Sequence, residues 1–485
     1  MTADVPVGGL SRRAFLTTAA SLAVAACGRT PPPRPDFDCD ACIIGSGFAG
    51  VYLAQRLAER GLRVIVIEAG PRLAPNAPGS GAADLFPAVS TGTLVFPVNG
   101  TRTIGLGGTS RQWNGVITRL LPDDLRVKSR RGLDVDWPVG YGDLEPYYCD
   151  AEQLLQVSGG LLVPDAEPPR CPYPSEAGDY ESPAALLRQP DLPVFPLAFA
   201  LANGRPLRLD EGPMEALRQR PNVTILEGHP VTGLAFASDG RLLAVEARPE
   251  GQPMVTLRPR AAVIAAGVVE TTRLLLHARE TRPSIGGTWL GAGFHAHPRY
   301  RVQVRPRARL PRVPRIHRSY MRHPKAFEGR GAFLADFHLD TAVPQVDVTL
   351  ELAADAANGI RLAPNARDRW GRRSVALNAD WTPRDIETRE AALNAQLAFA
   401  NALGRPTAEP GLRWFHPAGT CRMAAAPEDG VVDPQLRVFQ TTNLFLSGAA
   451  VFPTSGATNP TLTVVALSLR LADHLTQLIR SESNS

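Results

Sequence analysis

Two side chains near the C-terminal end of this 485-residue sequence are of types that could move a proton. His416 sits in the run WFHPAGTCRM, Trp414 to Met423, and Asn459 opens the run NPTLTVVALSLRLADHL. They are 43 positions apart, and each is followed by a proline, Pro417 and Pro460. A neutral imidazole can take a proton near pH 7, and an uncharged amide can bond the same oxygen without competing for that proton. A dry segment carrying isolated polar groups is how a protein holds a base and its partner over a reactive ring. The same two residue types also serve as a satisfied core histidine and an N-capping asparagine. The elements that position them must decide between the readings.

The other end of the chain supplies a ring to act on. Residues Cys39 to Gly70 read as an apolar strand, the loop Gly45-x-Gly47-x-x-Gly50, a helical period, and a second apolar strand ending at Glu68. Glycines at this spacing allow a tight turn, close approach of backbone to a pyrophosphate and close helix-on-strand packing. The helix start offers amides to the phosphates, and Glu68 is placed to accept from ribose hydroxyls, which disfavours a 2′-phosphate. Two further segments select FAD over NAD. One is the second glycine loop, Gly105 to Ser110, with Gly107, Gly108 and Thr109 lining a pyrophosphate or flavin. The other is AAVIAAGVVETTRLLL, Ala261 to Leu276, a strand, glycine turn and helix start. The strand and turn from Asn222 to Val231 place the backbone of Val231 against the adenine. Asn114, after Trp113, either touches the flavin edge or stabilises its own turn.

Composition narrows the remaining choices. The length allows two or three domains. The basic residues are nearly all arginine, with lysine only at 128 and 325, and only the stretch Arg299 to Arg322 is rich in them. Such a chain lacks the concentrated patch that a nucleic acid requires. Arg12-Arg13 before the apolar stretch Leu16 to Ala26 reads as an export signal of the twin-arginine type, too short to span a bilayer. Val24-Ala25-Ala26-Cys27 reads as a lipoprotein cleavage box that leaves Cys27 for lipidation, with the proline-rich residues 27–35 as a tether. The expected location is the periplasmic or cell-surface side of a membrane. Cys39, Cys42, Cys149, Cys171 and Cys421 show no spacing that implies a disulfide framework; Cys39 and Cys42 read as buried strand residues and Cys421 as a small buried thiol. His295-x-His297 could put two imidazoles on one strand face, but no further ligands cluster nearby and no metal is expected. His297-Pro298 reads as a structural element. Trp137, Tyr147 and Tyr148 read as packing.

Taken together, GSGFAG, GLGGTSRQWNG, Asp136 to Gly159, AAGVVETTRLLL, HPAGTCRM and NPTLT make the chain resemble the glucose-methanol-choline (GMC) oxidoreductases along nearly its whole mature length. The resemblance implies an α/β fold: a Rossmann-like FAD-binding domain built from 36–160, 205–298 and 406–480, and a substrate domain with an antiparallel sheet from 161–204 and 299–405. It implies oxidation of an alcohol, such as a sugar, glycoside or other polyol, to a carbonyl. His416 would take the hydroxyl proton while hydride passes to the flavin, with Asn459 as second member of the pair. Ala449, Asn459, Pro460 and Thr461 match the family's cofactor-facing wall. Relatives that bind FAD covalently do so through a histidine where this chain has Gln112, so non-covalent FAD is expected. The NPTLT version resembles the bacterial sugar and polyol dehydrogenase branch, whose electrons would leave to a quinone or a cytochrome subunit. An oxygen-using oxidase of the same fold and a non-catalytic anchored flavoprotein are the competing readings.

Overall fold

The structure, a computed structural model, describes residues 38–73, 85–158, 187, 195–196, 198–202, 205–308, 310, 317–321, 331–339, 341–407 and 410–484. The twin-arginine stretch, Cys27, the tether and most of 161–204 lie outside the described residues. Five short apolar runs form one parallel sheet in the order Leu444–Leu446, Pro259–Ile264, Cys39–Ile44, Val64–Ile67, Val223–Leu226. Its inner strands are apolar almost without interruption, as a sheet covered on both faces requires. The helix Phe48–Glu59 follows the first strand directly and packs on the C-terminal helix Thr461–Asn484, which also packs on Tyr141–Leu154. Arg56 ties the three helices together through Asp150 and Asp473. By length and composition Thr461–Asn484 could cross a membrane, but 72% of its apolar window is buried inside this fold.

A second, antiparallel sheet stands apart from the first. Its order is Gly404–Pro406, His295–Pro306, Gln345–Leu350, Phe333–His338, His317–Met321, Phe195–Pro196, and Gly411–Ala418 also pairs with His295–Pro306. The helix Pro383–Leu403 packs Ala392, Phe399 and Leu403 against Val302, Phe337 and Val348. Thr382 and Asp385 cap its start reciprocally, and Pro383 occupies the first turn, where its missing N–H costs nothing. The buried Gln396 donates from Nε2 to the carbonyls of Tyr300 and Val346, fixing helix to sheet. This sheet runs beyond the limits 299 and 405 expected for it. Its long strand begins at His295, and the strand carrying His416 pairs with that strand although it lies in the 406–480 segment.

Cys39 and Cys42 are buried free thiols, and burial pushes Cys39 up to about 12. Cys421 is likewise buried and free. Cys149 is disulfide-bonded, a pairing that the irregular cysteine spacing did not predict. Trp137 and Tyr148 belong to the core, donating to or sharing hydrogen bonds with Thr454 and Thr463.

One buried ion pair fastens the antiparallel sheet to the rest of the chain. Glu351, directly after Gln345–Leu350, accepts from both terminal nitrogens of Arg131 at 2.8 and 2.9 Å and from the Ala332 amide at 2.7 Å. Burial alone would raise this carboxyl; the Arg131 charge and these hydrogen bonds hold it down at about 2. A depressed folded-state pKa contributes stability above the unfolded value and loses it as pH falls through the folded one. Arg131→Leu is therefore expected to destabilise the protein by about 3–5 kcal/mol at pH 7, because a buried carboxylate loses its partner. The deficit should shrink as pH falls from about 4.5 toward 2, read as the difference in thermal midpoint between variant and parent. A pH-independent deficit would refute the assignment.

Candidate active site

The two glycine loops meet at the C-terminal end of the parallel sheet and open a cavity of about 420 Å³. Gly45 has φ +109°, and a Cβ there would fall 2.5 Å from the Ala265 carbonyl oxygen. At Gly50 a Cβ would stand 1.9 Å from the Gly45 oxygen, so this glycine serves helix-on-strand packing and not the cavity wall. Gly47, by contrast, faces open space: a Cβ on it would meet nothing within 4 Å. No side chain caps the helix that Gly47 begins, which leaves its first-turn amides for a ligand's phosphates. Gly108 presses on Gly47 from the second loop, and Gly107 donates its N–H to Ser46 Oγ at 3.1 Å, bracing the two loops without lining the cavity.

Glu68 ends the second strand on the cavity wall. It accepts from Ser46 N at 3.1 Å, Ser46 Oγ at 2.6 Å and Gly70 N at 3.1 Å. Burial raises its carboxyl pKa, and these donors oppose that rise. Thr109, Val231, Ala449, Pro460 and Thr461 also line the cavity, together with His416. Asn114 does not. It is exposed, and its Oδ1 accepts from the Val116 amide at 3.3 Å, so it stabilises its own turn.

The wall also carries groups that the motifs did not announce. Arg102 and Arg273 flank Glu270, with N–O distances of 2.6 Å each, and all three line the cavity. Arg273 is 2% exposed, lies over the Phe86 ring at 4.2 Å, and keeps Nη1 without a hydrogen-bond partner. Trp113 stacks on Phe48 at 4.4 Å between ring centroids, and its Nε1 is likewise unsatisfied. Two residues that line the cavity thus keep buried donors without a protein partner, which suits a large ligand rich in acceptors, with phosphates at the helix start. The spacing of Glu270 and Arg273, one turn apart at a helix start beside a glycine turn, was the available sequence signal. FAD fits these residues.

His416 reaches the cavity through a defect in the antiparallel sheet. His297 pairs with Phe415 and His295 with Ala418, so His416 and Pro417 together oppose Ala296 alone. This is a β-bulge, and His416 takes φ +55° within it. Its Nε2 stands 3.5 Å from Asn459 Nδ2, and its Nδ1 stands 3.0 Å from Nδ1 of His297. Asn459 is buried beside it, just behind the cavity lining at Pro460 and Thr461. His297 is fully buried, and its Nε2 lies 2.9 Å from the Gly456 carbonyl and 3.0 Å from Ser455 Oγ. His295, on the same strand face, bonds the Gly293 carbonyl at 2.9 Å instead. Among the described residues no three His, Cys, Asp or Glu side chains gather as a metal site.

Comparison with known proteins agrees with this architecture. Residues 354–468 match the family described as GMC oxidoreductase, and residues 43–98 match the NAD(P)-binding Rossmann-like domain. The chain is 26% identical to 6'''-hydroxyparomomycin C oxidase of Streptomyces lividus, covering 92% of this chain and 93% of that protein. It is 25% identical to the fructose dehydrogenase large subunit of Gluconobacter japonicus, covering 90% and 97%. The crystal structure of pyridoxine 4-oxidase from Mesorbium loti superposes with a TM-score of 0.67 at 20% identity, covering 90% of this chain and 99% of that one. The chain thus carries a GMC oxidoreductase C-terminal domain and a Rossmann-like nucleotide-binding domain, with FAD as its cofactor.

Proposed function

We propose that this protein oxidises an alcohol group of a sugar, glycoside or other polyol to a carbonyl, with His416 as the base and Asn459 as the hydrogen-bond partner of the same oxygen. The carrying observation is the convergence of His416 Nε2 and Asn459 Nδ2, at 3.5 Å, on the edge of the cavity that the Gly45 and Gly108 loops open. When bound, the flavin supplies a two-electron acceptor for the hydride of the alcohol carbon. The chain's part is to take the hydroxyl proton, orient the oxygen and exclude water. The sugar-acting names of the relatives from Streptomyces and Gluconobacter support the substrate class. Removing either side chain should act on the chemistry and not on cofactor retention. His416→Ala is expected to keep FAD and slow anaerobic flavin reduction by about 10²–10⁴-fold. Asn459→Ala should slow it on the order of 10²-fold. A His416→Ala protein that reduces its flavin at the parent rate would end the assignment.

FAD is held without a covalent bond in this proposal, since Gln112 occupies the loop position where a histidine would attach it, and its Nε2 donates to Thr103 Oγ1 at 2.8 Å. Acid precipitation should leave all the flavin in the supernatant; yellow pellet would contradict this.

Electrons leave to a quinone or a cytochrome partner. The word "large subunit" in the name of the Gluconobacter relative supports a partner chain, and the sequence holds no Cys-x-x-Cys-His segment for a haem of its own. The protein is exported through Arg12-Arg13, anchored by lipid on Cys27 and works on the periplasmic or cell-surface side; the disulfide at Cys149 is consistent with an oxidising compartment. Substrate-reduced enzyme mixed with a quinone analogue is expected to reoxidise faster than in air-saturated buffer. Rapid peroxide release in the second arm would instead make the protein an oxidase.

A further inference from the structure

The geometry points to His297 as a positioning residue that fixes which nitrogen of His416 accepts the substrate proton. This rests on the proposed role of His416 as base. The Gly456 oxygen can only accept, and it lies 2.9 Å from Nε2 of His297, so that nitrogen carries hydrogen and donates. His297 is fully buried, and desolvation, followed by the neighbouring His295, holds its pKa down at about 3, so the ring is neutral. The charged groups that act on it are Arg299, two residues along its own strand, which lowers it further, and Glu351, just after the neighbouring strand Gln345–Leu350, which raises it. A neutral ring protonated at Nε2 has an accepting Nδ1. The 3.0 Å contact between the two Nδ1 atoms is then a hydrogen bond only if His416 Nδ1 donates. A neutral His416 that donates from Nδ1 presents Nε2 as its accepting nitrogen, on the side of Asn459.

The same bond persists after proton transfer. The hydroxyl proton goes to Nε2, His416 becomes an imidazolium, and its Nδ1–H donates to His297 in a charge-assisted bond. His297 thus favours the protonated base without taking the proton. A residue acting only through core packing would do neither.

The experiment compares His297→Leu, which removes the acceptor, with His297→Asn, whose Oδ1 can stand near the place of Nδ1. Both are studied as FAD-loaded enzyme. In the leucine variant, anaerobic flavin reduction should slow at least a hundredfold, and the acidic limb of kcat/KM should move to lower pH, because the imidazolium loses its partner. In the asparagine variant at least tenfold of the rate should return and the limb should move back. Equal losses in both variants with an unmoved limb, or a leucine variant within threefold of the parent, would overturn the inference. Imidazole nitrogen NMR of the histidine-labelled parent holoenzyme, assigned by subtracting the His416→Ala spectrum, gives a reading that needs no folded His297 variant. His416 protonated at Nδ1 supports the inference, and His416 protonated at Nε2 refutes it. If His416→Ala keeps the parent reduction rate, it is the reading of His416 as base that fails, and the NMR result still reports the tautomer.

Discussion

Everything at the active site depends on one extra residue in a strand. The two-for-one pairing at His416 and Pro417 is where the chain leaves the antiparallel sheet for the nucleotide-binding half. Before it, Trp414 and Phe415 pair with Pro298 and His297. After it, Gly419, Cys421 and Met423 donate to the carbonyls of Ala449, Ala450 and Val451, the turn that follows the outermost parallel strand. A left-handed conformation at a non-glycine residue costs about 1–2 kcal/mol, and ladders on both sides of the bulge hold it in place. Removing the extra residue would reverse the alternation of side chains and turn the imidazole away.

Asn459 arrives by an equivalent device. The segment Thr454 to Gly456 is buried and bonded to Asp124, Trp137 and His297, so it enters the site already fixed. Pro460 then ends the irregular stretch, and Val464 N closes on the Pro460 carbonyl as the last helix begins. Two prolines, each following a polar residue, thus mark the two points where irregular backbone becomes regular again. The proposed base and its amide partner are held by elements that share one core, with Trp414 and Ala418 packed in the same cluster as Leu462 and Val464.

Most of the nucleotide half was legible because its signals are local. The Gly45-x-Gly47-x-x-Gly50 loop, the flanking strands and Glu68 each follow from patterns within a few dozen residues. His416 and Asn459 were also visible, through their own surroundings. Their contact was not, since it depends on strand register and a bulge that no spacing encodes. His297 is the clearest case. His295-x-His297 correctly put two imidazoles on one strand face, but only the pairing with Phe415 shows that one of them meets the base. Asn114 is the opposite case. Its loop is close to the cavity in sequence, while its side chain spends its acceptor on the next turn. The limits of the antiparallel sheet were misjudged because one strand, His295–Pro306, serves neighbours from both expected domains.

The distribution of charge follows from the proposed chemistry. A base that must take a proton gains nothing from a neighbouring permanent cation, which would resist the imidazolium, and a buried carboxylate beside it would compete for the proton. The contacts that His416 makes include an amide and a neutral ring, Asn459 and His297. Another part of the cavity wall carries charges, where Arg102 and Arg273 flank Glu270. Arg102 and Arg273 make that patch locally positive, with Glu68 on another part of the same wall, whereas a neutral pair beside the alcohol would leave proton acceptance to one nitrogen. Burial serves both ends: it keeps His297 uncharged and strengthens the field of the arginines. Separating the two requirements in space is what allows proton and hydride to leave one carbon–oxygen unit in different directions.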